Sequence, residues 1–229
     1  MPLYALGRAT DPALPLRVYI EGDGLAWATR ERPSSDPTPR RPVALQLAAL
    51  DPYPNVIYLA RSCQYIKPLP ETCTPQWWTS ERFSRRVVEV TNAALDALKR
   101  QTRTDQIELV GYSGGGAVAL LVAASRGDIR NLRTVAGNLD TEAVNRLHRV
   151  SPMPESLNPA DMAGSVSQLP QIHFAGVQDT VVPPSIASGF LQRAGGRCTR
   201  LVLRSEADHI VGWIEAWGSL ISDTPACAR

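Results

Sequence analysis

Long apolar runs are missing from this chain. The longest, Ala117 to Ala124, is far below the roughly 20 residues that a bilayer-spanning helix needs, so no transmembrane segment is expected. A charge bias is missing too. The 24 basic residues face 22 acidic ones, for a formal net charge of +2, and they are scattered, which argues against nucleic acid as a partner. With only three histidines and no closely spaced cysteine pair, no zinc site is expected and no metal ligand is assigned. There is no Gly-Lys-Ser or Gly-Lys-Thr phosphate loop, and no internal repeat or low-complexity tract. The opening residues, Met1 to Gly7, carry neither a basic leader nor an apolar stretch of signal-peptide length.

What is present describes an ordinary globular chain. At 229 residues, 44% hydrophobic and 20% charged, it is long enough to bury a substantial core, and one domain over 1–229 is the economical count. Strand-like runs at Leu16–Glu21, Asn55–Ala60, Ile107–Val110, Arg130–Ala136, Gln171–Val177 and Arg200–Arg204 alternate with helical patterns. These fall at Val43–Leu50, Ser80–Arg100, Ala117–Ala124, Thr141–Arg149 and Ile210–Ile221. In the second of them Phe83, Val87, Val90, Ala94, Leu95 and Leu98 recur at helical spacing behind a Thr79 or Ser80 cap. The alternation predicts an α/β fold with a mostly parallel sheet of about six strands and helices on both faces. Such a sheet binds ligands beyond the carboxyl ends of its strands. Arg32 to Pro42, with four prolines, is expected to be an extended loop. Residues 141–169 form the segment able to cap the site.

One turn concentrates the chemistry. Gly111-Tyr112-Ser113-Gly114-Gly115 lies between the strand Ile107–Val110 and the helical Ala117–Ala124. A serine thus stands at the tip of a sharp turn whose glycines avoid collision with the neighbouring strand and helix. Ser113 is the candidate nucleophile, and it needs a base to take its proton and a third group to orient that base. The turn leaving Gln171–Val177 supplies Asp179, and the loop leaving Arg200–Arg204 supplies His209. Asp140, after the strand Arg130–Ala136, is the rival acid. His173, within an apolar strand, reads as hydrogen-bonded core, and His148 as a solvated residue of the cap.

The first strand ends in Gly22-Asp23-Gly24, a glycine-bracketed turn at the same edge of the sheet. A backbone amide there, taken as that of Asp23 with Gly22 and Gly24 as alternatives, would join the Gly114 amide in an oxyanion hole. Gly22, Gly24, Arg61 and Tyr112 are the candidate substrate-binding residues. Arg61 and Gln64 leave the second strand at that edge, where an arginine also serves as a structural donor. Trp77 and Trp78 read as packing for the adjoining loop. The four cysteines form two plausible pairs, Cys63 with Cys73 and Cys198 with Cys227, free thiols being the alternative. Each bridge would contribute roughly 2–4 kcal/mol. Such bridges imply an exported protein, periplasmic or secreted, whose signal is absent from these residues. Gly114 to Ala119 also fits a dinucleotide-binding pattern, but that reading leaves the serine at the turn unexplained.

The chain resembles the α/β-hydrolase superfamily, and specifically a group of bacterial α/β-hydrolases, many of them predicted to be exported or lipid-anchored. The resemblance rests on Tyr19-Ile20-Glu21-Gly22-Asp23-Gly24, Gly111-Tyr112-Ser113-Gly114-Gly115, Ser156-Leu157-Asn158-Pro159 and Asp179 with His209, and covers nearly the whole chain. It implies a minimal version of an eight-strand fold lacking the first two strands. It also implies a Ser-His-Asp triad of Ser113, His209 and Asp179 that cleaves a small-molecule ester or acyl substrate through an acyl-enzyme, with no cofactor. Carboxylesterase is the leading reading. Thioesterase, lipase and peptidase share the machinery, and an idle hydrolase fold used as a binding module of the cell envelope is the non-enzymatic alternative. Glu21 departs from the pattern, because many superfamily members carry histidine before the oxyanion glycine.

Overall fold

The computed structural model describes residues 1–228. Four strands are buried along their whole length: β2 (Leu16–Ile20), β3 (Asn55–Leu59), β4 (Ile107–Tyr112) and β6 (Gln171–Gly176). Strands covered on both faces have no solvent side, so they read as apolar runs without alternation. With β1 (Ala5–Ala9), β5 (Ile129–Val135) and β7 (Thr199–Arg204) they form one seven-stranded sheet in the order β1-β3-β2-β4-β5-β6-β7. Every pairing is parallel except that of β1 on β3. The sheet has one strand more than the six read from the sequence. The addition is β1, which is exposed throughout and so carries no burial pattern. Its Gly7 lies against the β3 backbone, where a Cβ would come within 2.0 Å of the Val56 carbonyl oxygen.

Helices cover both faces. α1 (Val43–Leu50) and α6 (Trp217–Ser222) bury Val43, Leu47, Trp217 and Ile221 on one side. On the other lie α2 (Arg85–Thr102), α3 (Gly114–Ala124) and α5 (Pro184–Ala194), with Val87, Leu95, Leu120 and Phe190 in the core. The sequence pattern carries no reading of α5, although it starts at Pro184 and ends at Gly195 in a left-handed conformation, a usual arrangement of helix boundaries. α2 starts later than its periodicity suggests. The Phe83 N–H donates to Ser156 Oγ at 3.2 Å, and its carbonyl accepts from the Leu157 N–H at 3.0 Å, so this backbone is committed to the 156–157 loop. α6 is likewise shorter, because Asp208 Oδ1 accepts the Ile210 and Val211 N–H groups at 2.7 and 2.6 Å and Gly212 takes φ +90°.

Segment 141–169 holds α4 (Thr141–His148) and a short 3₁₀ turn, Pro159–Met162. Asn158 ties the start of α4 to that turn, its Oδ1 accepting the Thr141 N–H at 3.0 Å. Both disulfides are formed, Cys63–Cys73 and Cys198–Cys227. Trp77 and Trp78 are buried beside the first. Among the described residues, no helix is long and apolar enough to cross a membrane.

Candidate active site

Ser113 connects β4 to α3 at φ 51° and ψ −121°, a left-sided backbone that a residue with a Cβ adopts only when its surroundings impose it. The surroundings are backbone on both sides. A Cβ on Gly111 would lie 2.4 Å from the Gly115 carbonyl oxygen, and one on Gly115 would lie 2.2 Å from that of Ile20. The two glycines of the motif therefore let strand, turn and helix approach closely, which lifts the serine off the end of the sheet. The Ser113 N–H donates to Val135 O at 2.9 Å, and its carbonyl accepts from Asn138 N–H at 3.0 Å, fixing the turn against β5.

Two distant loops meet this serine. His209 Nε2 lies 2.9 Å from Ser113 Oγ, and His209 Nδ1 lies 2.8 Å from Asp179 Oδ2. The other carboxylate oxygen of the buried Asp179 accepts the Val181 and Val182 N–H groups, each at 2.8 Å. Tyr112 donates its hydroxyl to the His209 carbonyl at 2.9 Å, which ties the histidine loop to the residue before the serine. Burial pushes the Tyr112 hydroxyl pKa above the usual tyrosine range, keeping it a donor. Asp140 lies elsewhere: its Oδ1 caps α4 through the Ala143 N–H at 2.9 Å, and its Oδ2 meets Arg193 at 3.3 Å. His173 is fully buried on Thr134 Oγ1 at 2.8 Å, with a pKa pushed down to about 3 by burial. His148 hydrogen-bonds the Val181 carbonyl at 2.7 Å, joining α4 to the Asp179 loop.

The Gly22–Gly24 turn faces Ser113 from β2. The Gly22 N–H is taken by its neighbour Glu21 Oε1 at 2.8 Å, and burial pushes the Glu21 carboxyl above the ordinary carboxylate range. The Asp23 and Gly114 N–H groups make no hydrogen bond among the described residues. Gly24 has φ +65°, and a Cβ there would fall 2.1 Å from Pro37 O, so its surroundings are the proline loop. The Asp23 carboxylate packs on Gly114, where a Cβ would fall 2.0 Å from its Oδ1. Arg61 and Arg82 hold that carboxylate at 3.0 and 3.1 Å. Arg61 is buried and also donates to the Arg82 carbonyl. Gln64 donates to Gly22 O at 3.0 Å. Sequence reasoning singled out neither Arg82 nor the Asp23 side chain, because nothing local marks two residues 59 positions apart as ion partners.

Ser113 opens into two cavities. One, of about 440 Å³, is lined by His209, Tyr112, Val181, Ile210, Arg40 and Arg41. The other, of about 810 Å³, is lined by Trp27, Arg82, Asn138, Val144, Met153 and Val182 among others. Among the described residues no cluster of His, Cys, Asp or Glu is arranged to hold a metal ion.

No family model and no curated protein sequence matches the chain. Solved structures do. It is similar to an alpha-beta serine hydrolase homologue from Coxiella burnetii, with TM-score 0.62 and 18% identity over 96% of this chain and 88% of that one. It is also similar to the Pyrococcus furiosus esterase Pf2001, with TM-score 0.65 and 14% identity over 96% and 90% of the two chains. A third match is Est1E from Butyrivibrio proteoclasticus with ferulic acid bound, with TM-score 0.66 and 16% identity over 96% and 94%. The fold is that of an α/β-hydrolase. Within an α/β-hydrolase sheet, Ser113, Asp179 and His209 follow β4, β6 and β7, at the carboxyl edge where ligands of open parallel sheets bind.

Proposed function

We propose that this chain is a serine hydrolase that cleaves an ester or related acyl bond, with carboxylesterase as its type. The observation that carries the reading is the unbroken hydrogen-bonded line from Ser113 Oγ through His209 to Asp179, at 2.9 and 2.8 Å, starting from a positive-φ turn. The esterases of like fold support the same class. His209 takes the proton of Ser113 as its oxygen bonds to the substrate carbonyl carbon, while Asp179 holds the proton on Nδ1 and stabilises the imidazolium. The oxyanion accepts the free amides of Gly114 and Asp23, each such donor being worth about 3 kcal/mol of barrier. The ester C–O bond then breaks as His209 returns the proton to the leaving oxygen. Water repeats the sequence on the acyl-enzyme, with His209 as its base.

Because His209 must protonate the leaving oxygen, the leaving group belongs in the 440 Å³ cavity that His209 lines. The acyl group then enters the 810 Å³ cavity of Trp27, Val144 and Met153. We read 1–229 as one domain in which 141–169 caps the acyl side. The two disulfides support an oxidising, extracytoplasmic location, periplasmic or secreted; lipid anchoring rests on the sequence resemblance alone.

The test is labelling by a fluorophosphonate probe together with turnover of a short-chain aryl ester, both lost in Ser113→Ala. A wild-type protein that takes no label and turns over no ester, thioester or aminoacyl amide would overturn the reading in favour of a binding module.

A further inference from the structure

The charges around the leaving-group cavity do not cancel. Four ionisable groups besides the histidine and the tyrosine line it: Glu21, Asp23, Arg40 and Arg41. Glu21 is buried, bonded to the Gly22 N–H, and held toward its neutral form by that burial. Asp23 is ion-paired with both Arg61 and Arg82, so its charge is already more than balanced. Asp208, the carboxylate next to His209 in sequence, is engaged by the Ile210 and Val211 amides. Asp179 faces the far side of the imidazole. What remains is a pair of adjacent exposed arginines, which form no ion pair among the described residues. Pro39 and Pro42 bracket them, which restricts the backbone that presents them. The rest of the wall is apolar, with Leu25, Val181 and Ile210.

Exposed arginines outside any ion pair occur elsewhere, Arg30 and Arg149 of the larger cavity among them; Arg40 and Arg41 differ in being adjacent and in lining the cavity that holds His209. We propose that the leaving group of the substrate carries an anion of carboxylate type, held by Arg40 and Arg41 while its apolar body rests on Val181 and Ile210. The proposal builds on the hydrolase reading and adds the substrate class. Guanidinium groups suit this task because they stay charged and present paired donors to a planar anion.

The experiment compares 4-acetoxybenzoate with its methyl ester, methyl 4-acetoxybenzoate. Both carry the same acetyl group and differ in charge only on the leaving side. The ratio of kcat/KM for the acid to that for the methyl ester is measured in wild type and in the double variant Arg40→Gln/Arg41→Gln at low ionic strength. The ratio is expected to fall about tenfold in the variant, a modest gain suited to exposed charge pairs. In wild type it should also shrink with added salt, as screening requires. Equal ratios in the two proteins, with the methyl ester turned over, would overturn this proposal and leave the hydrolase reading standing. Failure to hydrolyse either ester, with no fluorophosphonate labelling, would take down both.

Discussion

Substituting Asp179→Asn tests the proposed catalytic line at its least accessible member. One oxygen of Asp179 accepts two backbone N–H groups, from Val181 and Val182, and the other accepts His209 Nδ1–H. An asparagine must choose an orientation. Turning its NH₂ toward the two backbone donors would leave both without an acceptor in a buried place, at about 1–3 kcal/mol each. The carbonyl oxygen therefore keeps them, and the NH₂ faces Nδ1. It then donates to Nδ1 and drives the imidazole proton to Nε2, the atom 2.9 Å from Ser113 Oγ. An Nε2 that already carries the proton has no lone pair with which to take that of Ser113, so kcat should fall about 10⁴-fold, or about 5.5 kcal/mol of barrier. The assay is steady-state hydrolysis of p-nitrophenyl acetate at pH 7.5, with thermal melting to show that the fold survives. Asp140→Ala is the control: losing the α4 cap costs about 1 kcal/mol of stability and leaves kcat within a few fold. An Asp179→Asn enzyme within tenfold of wild type would refute the reasoning.

Other expectations concern the fold. Gly115→Ala places a Cβ 2.2 Å from the Ile20 carbonyl oxygen, whereas Gly127 has open space around it; urea unfolding should show the first losing several kcal/mol, and Gly127→Ala little or nothing. Gly114→Ala meets the Asp23 side chain, not a backbone atom, so it should fold; it keeps its own N–H but displaces the residue that carries the second donor amide, and kcat should fall by up to about 10²- to 10³-fold, the loss of one oxyanion donor. His173, with its pKa pushed down to about 3, binds a proton in the unfolded chain from about pH 6.5 downward but not in the native one. Stability should therefore be intact above that pH and lost as pH falls, by roughly 2 kcal/mol at pH 5; urea titrations at pH 7.5 and 5 should show this slope flattened in His173→Phe. Opening the Cys198–Cys227 bridge, which spans 29 positions including His209, should cost about 3 kcal/mol, measured by unfolding Cys198→Ser/Cys227→Ser against wild type.

Much of the candidate site was legible because its causes are local. A glycine-flanked serine between an apolar strand and an apolar helix has one steric rationale, and Gly111 and Gly115 bear it out in their close approaches to backbone. Asp179 and His209 were legible because each follows a short apolar strand. The exposed β1, held by pairing to β3 and by Arg8 on the Asp51 and Tyr53 carbonyls, leaves no such trace. Nor does the Asp23, Arg61 and Arg82 cluster, whose members come from three loops. Arg40 and Arg41 read as part of a proline-rich loop until that loop is seen beside Ser113.

The sequence by itself determined the alternation of strands and helices, the turn that carries Ser113 and the order of the side chains that follow it, because these depend on neighbours along the chain. Only the tertiary structure decided which aspartate reaches His209, which amides near Ser113 stay free and which charges around it remain unpaired. Those outcomes depend on how loops from different strands converge at one edge of the sheet, and hydrogen bonds between loops have no period that a linear pattern could carry.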